Sequence, residues 1–326
     1  MSRVQLAPAK LISDEIQSEF VSDETPPGVK LIEAPNMWDL GHKGKGVVIA
    51  VLDSGCDFDH PDLKGRIIGG YNFTIEGEGE HDYMDYHWHG THVAGTIAAI
   101  ENQKGVVGVA PEASLLILKV LMRQNCSPTN GSIGLTEWVT KAIRYAISWR
   151  GPSGERVKVI SMSIVNESED NTVRVMHEAI QEAVKQDILV VACAGNLGGD
   201  CGPENDEKSY PGYYSEVVSV ASVGLDKAMP CRSTNSNIDL VAPGEMIIST
   251  VPGGGTQMAS GCSMAVPHIS GAAALLVNQF EKDFGRSPTE SELYAQIIKH
   301  TCPLGNDKRE EGNGLLILKG TSNCCV

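Results

Sequence analysis

Five apolar runs constrain the fold of this chain most strongly, because each has the length of a single strand. They occupy residues 46–55, 113–121, 157–164, 188–195 and 216–223. Runs that are apolar almost throughout are typical of parallel strands with both faces covered. Amphipathic helical patterns accompany them, at residues 89–101, 135–150, 173–186 and 264–284. This alternation predicts an α/β fold of three layers, in which a doubly wound, mainly parallel sheet lies between helices.

The domain organisation follows from where this pattern begins and ends. Residues 1–28 are polar and end in DETPPG, which cannot continue a helix, so they are predicted to form a detachable N-terminal extension. Residues 29–320 carry the pattern without a second boundary and are predicted to form one large domain. Residues 321–326 are predicted to be a C-terminal tail.

The formal net charge of −15 limits the partners of this chain. An acidic protein repels nucleic acid and anionic membrane surfaces, whereas it suits basic substrates and bound cations. The sequence has no apolar stretch of the roughly 18–20 residues that span a membrane, and no apolar core of a secretory signal at its start. We therefore expect a cytoplasmic protein. The nine cysteines, which include Cys324 and Cys325, form no C-x-x-C pair and are predicted to be free thiols.

Two polar residues lie at the ends of predicted apolar elements, where a polar side chain indicates either a structural or a catalytic role. Asp53 ends the first apolar run, where a carboxylate is costly to bury unless it is paired. Ser263 precedes the last helical pattern and follows Gly261, which permits a sharp turn. Both residue types also cap turns and helices, so each has a purely structural interpretation. As a nucleophile, Ser263 would lie at the positive end of the helix dipole, with Pro267 in the first turn.

A third candidate, His89, opens a predicted helix between two further histidines, His87 and His92. Such a cluster raises the alternative of a zinc site. The sequence contains no H-E-x-x-H motif, and the neighbouring residues form no recognisable ligand set, so zinc is the weaker interpretation. A dinucleotide site is excluded because no G-x-G-x-x-G follows the first strand.

Asp53, His89 and Ser263 together supply the acid, base and nucleophile of a hydrolytic triad. Their order along the chain is that of subtilisin, the reference case for this order. The stretches VLDSG, HGTHVAG, AGN and GCSMAVPH resemble the signature motifs of the subtilisin family of serine proteases. PPGVKLIEAPNMW, AIRYAISWRGPSGE and EGNGLLIL are similar, more specifically, to the intracellular subtilisins. The resemblance implies a subtilisin-like fold and an intracellular serine endopeptidase for protein turnover or peptide maturation.

The resemblance implies a role for each matching position. Ser263 would attack the scissile carbonyl, His89 would take its proton, and Asp53 would orient His89 and stabilise the imidazolium. Asn196 matches the side-chain donor of the oxyanion hole, beside the backbone N–H of Ser263. The residues expected to contact the substrate backbone are Ser163, Ile164, Val165 and Gly195.

Two departures from the family pattern affect this expectation. Cys262 stands where the family usually has a threonine, and a thiol is only a weak hydrogen-bond donor. Residues 163–166 read Ser-Ile-Val-Asn instead of Ser-Leu-Gly-Gly, so a branched side chain stands where glycine lets a peptide approach closely. A catalytically weak, peptide-binding relative is therefore the alternative. An active endopeptidase of narrowed specificity is favoured, because the triad and Asn196 are all present.

The acidic stretch GGDCGPENDEKSYPG is expected to border the main specificity pocket. Its carboxylates, from Glu204, Asp206 and Glu207, would favour basic substrate residues if they faced the pocket. In a solvated loop they would have no such effect, and the sequence leaves both interpretations open.

A calcium site is implied by the similarity of AAIENQKGVVGVAP and HPDL to the family's calcium loop and its carboxylate. Asp62 and Asn102 would bind through side chains, and carbonyl oxygens would come from Ile100, Lys104 and Val106. Calcium accepts about six to eight oxygen ligands of this mixed kind. The alternative is a plain surface loop, since Lys104 suits a cation site only if its side chain points outward.

The N-terminal extension resembles the short inhibitory extension of intracellular subtilisins. Leu6 and Pro8 lie in LAPA, the stretch that matches the inhibitory motif, and residues 13–25 would be the tether that is cut. Proline has a fixed φ and no N–H, so a strand that carries it can fill a cleft in a poor geometry for attack. The extension therefore predicts that the protein is made as a zymogen. The alternative is that the extension is a disordered tail without a regulatory role. The family resemblance also suggests a homodimer.

Overall fold

The computed structural model describes residues 2–6, 9–12, 25–124, 131–168, 170–195, 206–230 and 235–318. Some predicted features lie outside the described residues: Pro8, most of the tether, Asn196, Glu204, and the tail with Cys324 and Cys325. No helix in the described part of the chain is both long and apolar enough to cross a membrane.

The strands and helices of the described residues are numbered in chain order. The strands are β1 (Arg3–Leu6), β2 (Lys10–Leu11), β3 (Val48–Asp53), β4 (Ile67–Asn72), β5 (Ser114–Lys119), β6 (Met122–Arg123), β7 (Ser132–Leu135), β8 (Val157–Met162), β9 (Ile164–Val165), β10 (Leu189–Cys193), β11 (Val218–Val223), β12 (Leu240–Pro243), β13 (Ile247–Val251), β14 (Gly255–Ser260), β15 (Thr301–Cys302) and β16 (Leu315–Leu316). The helices are α1 (Pro27–Leu31), α2 (Ala34–Asp39), α3 (His89–Ala98), α4 (Thr136–Ser148), α5 (Asn171–Val184), α6 (Cys262–Phe284), α7 (Glu290–Lys299) and α8 (Lys308–Glu311).

A mainly parallel sheet forms the centre of the fold. Among the described residues its order is β15-β16-β12-β11-β10-β8-β3-β5-β4, and only the pair β15–β16 is antiparallel. The five predicted apolar runs supply β3, β5, β8, β10 and β11. β3 lies between β5 and β8, so later strands of the chain add to the sheet on both sides of β3, as a doubly wound sheet requires. The prediction of a doubly wound, mainly parallel α/β sheet is confirmed.

Alternating residues of β3 enter two different buried clusters, one on each face of the sheet, which gives the protein three layers. Ile49 and Val51 of β3 belong to a buried cluster with residues of α3 and α6. Val48, Ala50 and Leu52 belong to a second cluster with residues of α4 and α5. Successive Cβ atoms of a strand point to opposite faces, so one apolar run serves both cores.

The strand β4 and the hairpin of β13 and β14 were not predicted from the sequence. β4 reads IIGGYN, and its glycines weaken the strand pattern; backbone pairing with β5 nevertheless holds it at the sheet edge. β13 and β14 form an antiparallel hairpin, with Gly253 and Gly254 in the turn at φ 96° and 86°. This hairpin leads directly into α6, which carries Ser263.

The N-terminal extension is structured where it is described. β1 lies between β7 and β9 and is antiparallel to both, while β2 pairs antiparallel with β14. The alternative of a disordered tail is therefore wrong for residues 3–6 and 10–11.

Helix α6 differs from the prediction at its start. It begins at Cys262, so Pro267 lies inside the helix and not in its first turn. Proline has no N–H for the carbonyl group four residues earlier, which belongs to Ser263. Ser163 Oγ donates to that carbonyl oxygen at 2.9 Å, so a side chain replaces the missing helical bond.

The cysteine prediction holds only in part. Cys56, Cys193 and Cys262 are free and buried. Cys302 is disulfide-bonded, so the expectation of free thiols is wrong at this position.

Candidate active site

Asp53 and His89 form a buried hydrogen-bonded pair. Asp53 is the last residue of β3, and His89 is the first residue of α3. His89 Nδ1 lies 2.8 Å from Asp53 Oδ1 and 3.0 Å from Oδ2, and the two residues are 0% and 1% exposed. A carboxylate oxygen accepts hydrogen bonds, so Nδ1–H is the donor of this pair, and in the neutral imidazole the lone pair is then on Nε2. Within the described residues Nε2 has no hydrogen-bond partner.

The turn that follows β3 holds the start of α3 against Asp53. A Cβ atom on Gly90 would stand 2.1 Å from the carbonyl oxygen of Gly55, so only glycine permits this contact. Gly90 N donates to Ser54 Oγ at 3.0 Å, and Ser54 Oγ donates to Asp85 Oδ1 at 2.9 Å. His89 is thus fixed by its neighbour in the chain as well as by Asp53.

Ser263 is the second residue of α6 and makes no capping bond, so the capping interpretation is wrong. Gly261, with φ 152°, occupies the N-cap position in a conformation that favours glycine. Ser263 Oγ donates to the carbonyl oxygen of Ser163 at 3.3 Å, and Ser163 Oγ donates back to the carbonyl oxygen of Ser263 at 2.9 Å. This reciprocal pair joins the candidate nucleophile to the segment predicted to bind substrate.

The N-terminal extension pairs with the chain on both sides of Ser263. Leu6 pairs with Ile164, which directly follows Ser163, and Lys10 pairs with Ser260, three residues before Ser263. Ser263 is 0% exposed. The extension therefore contacts both walls of the candidate site, and we call residues 2–12 the arm.

Side chains of the arm alternate between the protein and the solvent. Val4 is 0% exposed and Leu6 is 9% exposed, whereas Arg3 and Gln5 face the solvent. β1 thus fills a groove between β7 and β9 as an extended peptide does when it adds a strand to a sheet.

Val165 does not narrow this groove. Its side chain is 1% exposed and packs in the same buried cluster as residues of α3 and α6, while its backbone pairs with Gln5. The branched residue is therefore accommodated by the core, and the strand still presents its edge to an extended peptide.

In the described part of the acidic stretch, Asp206 and Glu207 contact other residues of the protein. Asp206 accepts hydrogen bonds from Tyr213 Oη at 2.8 Å and from Ser236 N at 2.9 Å. The bond from Ser236 N, together with that from Tyr213, holds the pKa of Asp206 below its usual value. Glu207 packs against Gly195, where a Cβ atom would lie 2.2 Å from Glu207 Oε1. The carboxylate of Asp206 is thus hydrogen-bonded to residues of the protein itself and does not face a substrate side chain.

Comparison with known proteins agrees with this geometry. The model of the subtilase family matches residues 44–315. The chain belongs to the subtilase family. This confirms the resemblance found in the sequence motifs.

Three relatives show how far the similarity of this subtilase extends. It is 50% identical to the intracellular serine protease of Paenibacillus polymyxa over 318 residues, which are 97% of this chain and 91% of that protein. It is 47% identical to the major intracellular serine protease of Bacillus subtilis (strain 168) over 307 residues, which are 93% and 91% of the two chains. Subtilisin E of the same organism is 38% identical over 267 residues, or 82% of this chain and 64% of subtilisin E.

Two thiols of this subtilase lie next to the candidate nucleophile. Cys262 precedes Ser263 in α6, and Cys193 Sγ lies 3.9 Å from Ser263 Oγ. Burial raises the pKa of Cys193 well above its ordinary value, so its thiol stays protonated and is not a competing nucleophile.

The zinc interpretation of the three histidines is wrong for the described residues, which contain no group of three ligands that could hold a metal ion. His92 Nε2 is hydrogen-bonded to the carbonyl oxygens of Ile247 and Gln257 at 3.1 and 3.2 Å. Burial lowers the pKa of His92 to about 3, so its ring is neutral at physiological pH. His92 therefore ties α3 to the hairpin β13–β14.

Three of the residues predicted to bind calcium, Asp62, Asn102 and Val106, lie in contact. Asp62 Oδ1 accepts a hydrogen bond from Asn102 Nδ2 and Oδ2 accepts one from Val106 N, both at 3.1 Å. Asp62 is 3% exposed, and none of the described side chains forms an ion pair with it. Lys104 is exposed, as a cation site here requires. A buried carboxylate that has no cationic partner among the described residues fits a hard cation.

Sequence reasoning missed one buried cation near the candidate triad. Lys119 is 0% exposed and stands opposite Asp53 in the pairing of β3 with β5. Its Nζ donates to the carbonyl oxygen of Ser54 and forms an ion pair with Glu76 at 2.9 Å. Lys119 thus holds the turn that fixes His89; its position within an apolar run gave no signal of this contact.

Proposed function

We propose that this subtilase is an intracellular serine endopeptidase in which Asp53, His89 and Ser263 form the catalytic triad. The observation that carries the proposal is the buried Asp53–His89 pair, which leaves the Nε2 lone pair of His89 available as a base. The names of the two relatives at 47–50% identity support the reaction and the intracellular setting.

The mechanism follows from the hydrogen bond between His89 Nδ1 and Asp53. With Nδ1–H held by Asp53, Nε2 takes the proton of Ser263 Oγ as the oxygen attacks the scissile carbonyl carbon. The imidazolium that forms lies against the Asp53 carboxylate, which stabilises it, and then donates its proton to the leaving amine. Water attacks the acyl-enzyme in the second half of the reaction, and His89 again acts as the base.

Two structural features prepare Ser263 for this role. In the arm-bound structure its hydroxyl donates to Ser163, so it must rotate toward His89 before it can react. Its backbone N–H lies in the first turn of α6, where N–H groups have no helical partner and the dipole favours negative charge. With Asn196, this N–H would stabilise the oxyanion of the tetrahedral intermediate.

Labelling with a fluorophosphonate tests whether the chain is an enzyme or only a peptide-binding relative. In a chain that starts at Pro27, we expect one label per molecule on the peptide that contains Ser263, because only an activated serine attacks phosphorus readily. Peptide binding without any label would support the weak relative and contradict the proposed endopeptidase.

We further propose that the arm is an inhibitor in cis. Two of its buried side chains, Val4 and Leu6, contribute about 3–4 kcal/mol together, or roughly 10²- to 10³-fold in occupancy of the groove. A substrate strand and the arm need the same edges of β7 and β9. The protein is thus a zymogen until the arm is released.

Release of the arm is expected to raise the initial rate on a short peptide about 10²- to 10³-fold. Two proteins should show the raised rate because neither has a docked arm: the chain that starts at Pro27, and a full-length Val4→Asp/Leu6→Asp variant. Arg3→Asp is the matched control, since it adds the same charge at an exposed position of β1 and should keep the low rate. Equal rates for all four proteins before any cleavage would contradict inhibition.

We also propose that calcium binds at Asp62. The ligands would be the side chains of Asp62 and Asn102 and the carbonyl oxygens of Ile100, Lys104 and Val106. Calcium would neutralise the buried carboxylate and fix the loop that follows α3. Its role there is structural, because none of the catalytic groups belongs to this ligand set.

Chelation of calcium with EGTA is expected to lower the melting temperature by roughly 5 °C. Saturation at about 100 times Kd contributes about 2.7 kcal/mol, and each kcal/mol shifts a protein of this size by about 2 °C. The Asp62→Asn variant should melt at the same temperature with and without EGTA, whereas Lys104→Ala should keep the difference. No difference in the unaltered chain would contradict the site.

A further inference from the structure

The first described residue of the arm has its hydroxyl group enclosed by polar groups of the enzyme. Ser2 is 8% exposed, and its Oγ lies 2.6 Å from Thr136 Oγ1 and 3.4 Å from Asn166 Nδ2. It also contacts Thr172 Oγ1 closely. Thr136 and Asn166 are themselves 0% and 1% exposed. We call Thr136, Asn166 and Thr172 the hydroxyl socket.

The hydrogen bonds around the hydroxyl socket have a definite direction. Thr172 Oγ1 donates to Asp170 Oδ1 at 2.5 Å, so it offers Ser2 only a lone pair and Ser2 must donate to it. Asn166 Nδ2 donates to Thr136 Oγ1 at 2.9 Å, which leaves the Thr136 proton for the oxygen of Ser2. A side chain bound in the hydroxyl socket must therefore accept one hydrogen bond and donate another. A hydroxyl does both, whereas an ammonium group only donates and a carboxylate only accepts.

The hydroxyl socket lies at the outer end of the groove that β1 occupies. Thr136 follows β7 as the first residue of α4, Asn166 follows β9, and Thr172 lies in the first turn of α5. Thr136 N donates to the carbonyl oxygen of Ser2 at 3.2 Å, which extends the backbone pairing of β1 by one residue. Asn166 stands where the subtilisin family usually has glycine, so this departure supplies one side of the socket.

We propose that the hydroxyl socket is a specificity site, which selects a Ser or Thr four residues N-terminal to the substrate residue that pairs with Ile164. This inference rests on the proposed endopeptidase function. A substrate strand that replaces β1 between β7 and β9 presents its side chains at the places of the arm's side chains. Val4 is fully buried two residues after Ser2. The substrate is thus an extended peptide with a hydroxyl residue two positions before an aliphatic one.

A peptide competition experiment on the full chain tests the hydroxyl socket. The enzyme is the full-length Val4→Asp/Leu6→Asp variant, whose groove is open, and the inhibitors are N-acetylated peptides with the sequence of residues 2–12. We expect Ser2→Ala in the peptide to raise the inhibition constant about 10-fold, because Thr136 and Thr172 lose their partner. Ser2→Thr should keep most of the affinity.

A double-mutant cycle separates the hydroxyl socket from other effects of the peptide change. With Thr172→Val in the enzyme, the ratio of the two inhibition constants should fall to about 3, because Ser2 then keeps its bond from Thr136 but has lost its acceptor. Thr140→Val is the matched control on α4, since Thr140 Oγ1 bonds to the carbonyl oxygen of Thr136 and not to Ser2, and it should keep the 10-fold ratio. A ratio of 1 in the unaltered socket, or a ratio of 10 with Thr172→Val, would overturn the proposal.

Cleavage profiling of a peptide library by the same open variant tests the substrate directly. We expect enrichment of Ser and Thr two positions before an enrichment of Val or Ile. Cleavage with no preference for a hydroxyl residue at that spacing would overturn the socket and leave the endopeptidase function standing. A chain that cleaves no peptide and takes no fluorophosphonate label would instead contradict the proposed function itself.

Discussion

Replacement of Ser263 by alanine is expected to lower kcat for peptide hydrolysis by about 10⁶-fold, the order of loss measured when a subtilisin loses its nucleophile. The neighbouring Cys193 thiol does not replace the lost hydroxyl, because burial keeps it protonated. The fold should persist, since the substitution removes one oxygen whose hydrogen bond to Ser163 is 3.3 Å long. Stopped assays on a chain that starts at Pro27, together with its melting temperature, measure both effects.

The matched control for this prediction is Ser270→Ala. Ser270 lies two turns further along α6, is 0% exposed and donates to Ser161 Oγ at 2.9 Å. It should change kcat by less than about tenfold while costing a similar, small amount of stability, about 1 kcal/mol. A Ser263→Ala enzyme with more than 1% of the original kcat would exclude Ser263 as the nucleophile.

The central sheet was predictable because burial on both faces leaves a direct trace in the sequence. β3 and β10 are apolar at nearly every position, and their short length distinguishes them from a buried helix such as α6. β4 left no such trace, because its glycines and half-buried residues depend on pairing with β5. Where a strand is held by its neighbour more than by its own side chains, the local sequence does not identify it.

The candidate site shows the same division between local and distant causes. Asp53, His89 and Ser263 could be named from local motifs. The reciprocal bonds of Ser163 and Ser263 could not, because they join residues 100 positions apart and depend on a proline inside α6. From the sequence, Pro267 was predicted to lie in the first turn of the helix. The local pattern does not reveal that the side chain of Ser163 supplies the hydrogen bond that proline lacks, so that the helix can begin earlier.

The arm combines both kinds of information. Its inhibitory role was suggested by the resemblance of LAPA to a known motif, yet the docking residues that the structure describes are Ser2, Val4 and Leu6. Val4 and Ser2 carried no signal in the sequence, because their partners come from β7, β9, α4 and α5. The groove and the arm are therefore best understood together, as one surface that also defines what a substrate must offer.

Replacement of Asp53 by asparagine is expected to lower kcat by about 10⁴-fold, as the same change does in a serine-protease triad. Asp53 Oδ1 accepts bonds from Ser54 N at 2.7 Å and from His89 Nδ1, while Oδ2 lies 3.0 Å from Nδ1. Asparagine keeps its oxygen toward Ser54 N, so its amide group takes the place of Oδ2 and donates to Nδ1. The proton of the ring then moves to Nε2, which can no longer act as a base.

The expected loss is smaller than for Ser263→Ala because the nucleophile and the oxyanion donors remain. Fluorophosphonate labelling should slow in parallel with kcat, since both reactions need the same base. Asp57→Asn is the matched control: Asp57 is buried four residues later, and its Oδ2 accepts a bond from Gly253 N at 2.9 Å. Asp57 contacts no triad residue through these bonds, so its substitution should change kcat by less than about tenfold. Equal losses for the two variants would mean that Asp53 serves the fold of this region and not the tautomer of His89.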